Sequence, residues 1–189
     1  MARIATINRP EDYPGKPDVT VKEGLAALFA QLFPDQPARA IDPSHAGIAL
    51  AAHNPHLAMK LADLSKFIAL DMPWCGHADL RELAIAVVNR HFHCDYAYQA
   101  RIPHILAAEI GQEQLDLLAN HGDLAGFNED QQLVIGFARA SVAGRVDDAL
   151  FAELVARFGE KQAMECSIAV AWWSFWAQFL QATGAEFMK

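Results

Sequence analysis

The stretch Asp79-Leu-Arg-Glu82-Leu-Ala-Ile-Ala-Val-Val-Asn-Arg-His91-Phe-His-Cys94-Asp-Tyr-Ala-Tyr98 decides how this chain is read. Its apolar residues predict a helix from Leu80 to His91 and a second opening at Cys94, joined by the short turn Phe92-His93. The second helix then runs back along the first. Glu82 lies about eight residues, or ~12 Å at 1.5 Å per residue, before the end of its helix. It is therefore expected to face Arg101 or His104, and a Glu82–Arg101 ion pair bracing the two helices is the expected arrangement. Asp79 can cap the first helix, which would put Glu82 at the third helical position, as in a capping box. Cys94 stands at a helix N-terminus, where free N–H groups favour thiolate and lower the pKa.

Outward from this hairpin the pattern stays helical. Further helices are expected over Pro43 to Ala52, Pro55 to Leu70, Cys94 to Ile110 and Gln112 to His121, then Asn128 to Ala143, Asp147 to Phe158 and Lys161 to Thr183. Asp71-Met-Pro73, Gly111, His121-Gly122 and Gly159 punctuate them. No segment alternates apolar and polar residues as a strand does. Five of the nine prolines fall between Pro10 and Pro37. Within that region Leu25, Leu28, Phe29 and Leu32 mark one amphipathic helix, stopped by Pro34. The expected organisation is an extended Pro-rich arm over residues 1–40 and an all-α helical domain over residues 41–189. In the last helix Trp172, Phe175, Trp176 and Phe179 share a face. Either the core or a second subunit would bury it, and a homo-oligomer is expected.

Hydrophobic residues make up 53% of the 189 residues and charged residues 20%, the balance of a soluble globular protein. A net charge of −8 leaves no basic cluster for nucleic acid. The longest apolar run, Ile168 to Leu180, is too short for a bilayer, which takes ~20 residues. Met1 to Arg9 has no signal-peptide pattern. Three widely spaced cysteines, Cys75, Cys94 and Cys166, are no disulfide framework, and a cytoplasmic location is expected.

Arg81-Glu82-Leu83, Cys94, Tyr96, Tyr98, Ala107 and Gly111 resemble the active-site stretch of the carboxymuconolactone decarboxylase/alkylhydroperoxidase (AhpD-like) superfamily. The resemblance runs from about Ile48 to Thr183, with the Asn54-Pro55 entry and the Phe151 to Gly159 stretch. It implies an AhpD-like helical bundle and, by analogy, a thiol-based hydroperoxide reductase with Cys94 as nucleophile and Glu82 as orienting carboxylate. Peroxidase-type members carry Cys-x-x-Cys and a histidine four residues after the second cysteine; here Ala97 and Arg101 stand at those positions. Decarboxylase-type members keep Glu-x-x-x-His, which the same two residues also break. Arginine cannot relay a proton, but it can clamp a carboxylate. The Cys94 to Gly111 segment is about two residues longer than in many relatives, so a bulge would let His104 replace the missing histidine.

A single-cysteine cycle would need an external thiol to reduce the sulfenic acid. The alternative is a non-catalytic scaffold that binds a small aromatic or acidic ligand beside Tyr98, Arg101 and His104, with Arg101 as anion clamp. Lactone decarboxylation is a third reading. Cys75, as a resolving thiol for Cys94, would be held away by the intervening helix. Cys166 reads as inert core. His91, His93, Cys94 and His104 include metal-ligand types, but neighbouring side chains diverge and no metal site is expected. No phosphate loop or nucleophile elbow is present, and no cofactor is expected.

Overall fold

The structure, a computed structural model, describes residues 3–36, 38–119 and 124–185. Among these the chain is all-helical, without strands. Eight helices follow in order: α1 (Val19–Leu32), α2 (Ala46–Ala51), α3 (Pro55–Lys66), α4 (Ala78–His91), α5 (Asp95–Ala107), α6 (Gln112–Ala119), α7 (Glu129–Val142) and α8 (Asp148–Thr183). The expected end of α6 at His121 lies outside the described residues. No helix among the described residues is long and apolar enough to cross a membrane. The chain gathers into two compact units, one from residues up to 67 together with those from 179 onward, the other from residues 68–178.

In the first unit Asp18 caps α1 by accepting from the Val21 N–H at 2.8 Å, which satisfies one free amide of the first turn. Leu25, Leu28 and Phe29 turn inward, as their spacing predicts. Gly24 lets α1 lie against the start of α3: a Cβ there would stand 3.0 Å from Pro55 Cβ. Ile7 is buried, and the backbone holds it in place. Its N–H donates to the Ala49 carbonyl at 3.0 Å, while the Ile41 N–H donates to the Asn8 carbonyl at 2.8 Å.

In the second unit α4 is the central element, packed against α5, α6 and α7. Every residue from Glu82 through Asn89 is buried, which is why the helix reads as apolar nearly all round. The turn after it is a Schellman closure: the His93 N–H donates to the Arg90 carbonyl at 3.2 Å and the Cys94 N–H to the Asn89 carbonyl at 2.9 Å. His93 takes the left-handed conformation (φ 51°) usually given to glycine. The same closure ends α5, with Glu109 left-handed (φ 62°) and buried Ile110 folding back on buried Ile105. That closure stops the helix at Ala107, short of the expected Ile110.

The expected pair of helices over Asp147 to Phe158 and Lys161 to Thr183 is confirmed by a break inside α8. Gly159 has φ 79° and ψ 159°, a region open essentially to glycine alone. A Cβ on Gly159 would meet no atom within 4 Å, so only the backbone opposes substitution. Gly159→Ala is expected to lower the unfolding free energy by about 1–3 kcal/mol, read as a fall in the urea midpoint at unchanged m-value.

Candidate functional site

The α4–α5 hairpin brings Glu82 and Arg101 together, as the helix geometry predicts. Arg101 Nε donates to Glu82 Oε2 at 2.9 Å, and Arg101 Nη2 donates to Oε1, giving a bidentate pair. Glu82 is completely buried, whereas the Arg101 side chain keeps 28% of its surface exposed. Arg81, adjacent in sequence, also reaches the carboxylate: its Nε donates to Glu82 Oε1 at 3.0 Å. Its Nη1 holds the chain leading into α4, donating to the carbonyls of Cys75 at 2.9 Å and Ala69 at 3.2 Å. Two guanidinium groups thus meet one carboxylate, and the trio carries one positive charge in excess. Among the described residues Arg101 Nη1 has no partner, so the exposed edge of that guanidinium is free to donate.

The capping role expected of Asp79 and Glu82 does not hold. Helix α4 begins at Ala78 with His77 as its cap, and no side chain closes the cap. Asp79 instead accepts from Gln131 Nε2 at 2.9 Å, tying α4 to α7. Glu82 therefore lies past the first turn, and its place is explained by the arginines alone.

The expected lowering of the Cys94 pKa does not hold either. Cys94 is the residue that precedes α5, where the nearby Ala97 N–H favours thiolate, but its sulfur closes no cap hydrogen bond. Burial outweighs that influence, with the residue at 3% exposure, and nearby Asp95 adds to the effect, so the pKa rises above its ordinary value. The thiol stays protonated at neutral pH. Cys75 and Cys94 stand at opposite ends of α4, whose 14 residues span about 21 Å. That separation exceeds the ~7 Å between Cα atoms that a disulfide allows. Cys75 Sγ donates to the Ile68 carbonyl at 2.6 Å, and burial raises its pKa to about 11. Cys166 is fully buried, and its thiol is pushed up to about 12.

Of the remaining candidates, Tyr98 is buried, with the Arg90 guanidinium over its ring at 4.3 Å from the centroid. His104 is exposed. Glu165, which the sequence reading missed, is nearly buried and accepts from the Trp74 N–H at 3.0 Å. A glutamate inside the apolar run from Met164 to Val170 was the signal for it. The bond from Arg81 to Glu82 went unexpected for another reason: successive helical residues do not face each other, and only the length of Arg81 brings its Nε back to Glu82.

A cleft of about 630 Å³ lies between α7 and the first part of α8, with Leu133, Gly136, Leu150 and Ala156 among its lining residues. No residue of the Glu82 cluster lines it, and its one arginine, Arg157, is already paired with Asp130. Chemistry and bonding, rather than volume, place the candidate site at the hairpin. Among the described residues no three His, Cys, Asp or Glu side chains gather as a metal-binding group.

No family model, curated protein or solved structure matches this chain.

Two outcomes are expected from the site. Glu82→Ala leaves two cations facing a dry pocket and lowers stability by about 3 kcal/mol. Arg101→Leu costs less because Arg81 remains, and a double-mutant cycle in urea gives a coupling energy above ~1 kcal/mol. The thiols give the second outcome. In the unfolded chain they ionise near ~8.5, while the folded chain holds the proton of Cys75 to about 11 and that of Cys166 to about 12. Their contribution to stability is whole below the unfolded value and is lost as pH rises through the folded values. Urea midpoints measured from pH 7 to pH 10 should fall, and iodoacetamide should label the native thiols slowly until denaturant is added.

Proposed function

We propose that this chain is a divergent carboxymuconolactone decarboxylase-like protein, an AhpD-like bundle with a Pro-rich N-terminal arm, that binds a small carboxylate-bearing ligand at Arg101. The observation that carries this reading is the pair of guanidinium groups on the single buried carboxylate of Glu82. It leaves one unbalanced positive charge and a free Nη1 on a partly exposed arginine. A partly desolvated guanidinium with an open edge suits an organic acid, because the acid supplies the charge the cluster lacks and the acceptor Nη1 requires. In this reading the glutamate and arginine occupy the place of the family's proton relay without performing it, since arginine keeps its proton.

A second reading, favoured by the place of Cys94 at the N-terminus of α5, is the thiol-based hydroperoxide reductase. Cys94 would attack the terminal peroxide oxygen, releasing an alcohol and forming a sulfenic acid for an external thiol to reduce.

One pair of experiments separates the readings. Titration with benzoate, phenylacetate and adipate, followed by thermal shift and calorimetry, is expected to show binding of at least one acid. Arg101→Lys, which keeps the charge beside Glu82 but removes the open guanidinium edge, should weaken that binding at least tenfold while far-UV circular dichroism stays the same. Acids that fail to bind, or that bind wild type and variant alike, would overturn the clamp. Peptide mass spectrometry after one equivalent of cumene hydroperoxide should find Cys94 oxidised no faster than Cys166. Fast, selective oxidation of Cys94 would establish the reductase instead.

A further inference from the structure

Among the described residues five side-chain nitrogen or oxygen atoms are buried without a hydrogen-bond partner, and three of them are donors on α4 and α7: Asn89 Nδ2, Arg90 Nε and Arg139 Nη2. A buried donor left without an acceptor costs free energy, so three such atoms in one region call for a partner. Asn89 is 3% exposed, while Arg90 and Arg139 are half-buried. Neither arginine forms an ion pair among the described residues. The acids of α4, α5 and α7 are occupied elsewhere or face water. Asp79 holds Gln131, Glu82 holds two arginines and Asp130 holds Arg157, while Asp95 and Glu129 are exposed.

Helix geometry brings the three donors to one groove. Both α5 and α7 pack on α4 and hardly on one another, so a groove runs along α4 between them. Asn89 lies about two turns past Glu82, on the face that Glu82 turns to α5. Arg90 lies about three turns past Asp79, on the face that Asp79 turns to α7. The Asp79–Gln131 bond joins the beginnings of α4 and α7, which stay packed beyond it and so run in the same direction. Seen from that end, α7 lies clockwise of α5 around α4, because Asp79 stands about 60° clockwise of Glu82 on a right-handed helix. Arg139 is turned about 80° clockwise from Gln131, which directs it from the α4 side toward α5. Along the axis it stands only about 4.5 Å short of Arg90. The Arg90 guanidinium is held on the α5 side as well, over the Tyr98 ring at 4.3 Å from its centroid.

We propose that the groove between α5 and α7 is a phosphate site, in which Asn89, Arg90 and Arg139 donate to the oxygens of a phosphate monoester or of the free ion. Two guanidinium groups without an acid carry a double positive charge. A phosphate group, at about −1.5 to −2 near pH 7, balances that charge, and a single carboxylate does not. Donors that approach from two helices also suit a group whose oxygens point apart, whereas a carboxylate presents both of its oxygens in one plane. Burial lowers the pKa of Arg139 from its ordinary value, and an anion in the groove would restore it. The site is separate from the Arg101 clamp, since Asn89 lies about 10 Å along α4 from Glu82.

Calorimetry of the full chain at low ionic strength, with inorganic phosphate, phenyl phosphate and acetate, tests the proposal. Phosphate is expected to bind at least tenfold more tightly than acetate and to raise the melting temperature. Arg139→Leu removes an unpaired buried charge, so it should keep its urea midpoint while weakening phosphate binding at least tenfold. Arg90→Gln should weaken binding as much and covers the case in which the first variant misfolds. Arg101→Lys should leave phosphate binding unchanged, which distinguishes this site from the carboxylate clamp. Phenyl phosphate binding more tightly than the free ion would support a monoester as the ligand, and weaker binding would support the free ion. No phosphate binding, binding that both Arg139→Leu and Arg90→Gln retain, acetate binding as tight as that of phosphate, or loss of phosphate binding in Arg101→Lys would each overturn the proposal.

Discussion

Everything in the second unit is arranged around a carboxylate that water does not reach. Burying an ionised glutamate costs several kcal/mol, and the cost is recovered only if strong donors surround it in good geometry. Arg101 supplies two such donors from α5, and Arg81 supplies a third from α4 itself. Because Arg81 also grips the Cys75 and Ala69 carbonyls, one charge fixes three pieces of chain: the helix that carries it, the helix that returns alongside, and the segment that leads in. The apolar packing of α4 against α7 adds stability, but it does not by itself set the register in which the returning helix lies along α4. The bidentate pair does.

The hairpin was legible because rise per residue and periodicity are local properties. Placing Arg101 level with Glu82 needed only a helix of known pitch and a short turn. What was hidden depends on partners remote in sequence. Asp79 reads as a cap on local grounds, but Gln131, 52 residues away, competes for its carboxylate and wins. Cys94 reads as an activated thiol from its position before α5, yet the depth at which α5 lies decides its proton affinity, and depth is a tertiary property. The helix ends divide in the same way. Gly159 announced its break openly, whereas the left-handed turns at His93 and Glu109 use residues that carry no such signal.

The same division explains how function could be read. The resemblance set out from the sequence implies a histidine at the place Arg101 holds, and an arginine is a fixed cation that keeps its proton. Only the bonding around it reveals that a second arginine already answers the glutamate, so the cation is in surplus. The absent relay is an implication of the resemblance, whereas the surplus charge is an observation of the bonding. The first weakens an expectation of catalysis, and the second gives the site something positive to do.

The buried carboxylate also orders events in time. A chain growing from its N-terminus exposes Glu82 nineteen residues before Arg101 is made. Until that arginine arrives, α4 has only Arg81 to offset the cost of dehydrating its own glutamate, so collapse of its apolar faces is held back. The ion pair thus acts as a checkpoint: α4 can bury its centre only once the returning helix exists, and the two condense as one cooperative element.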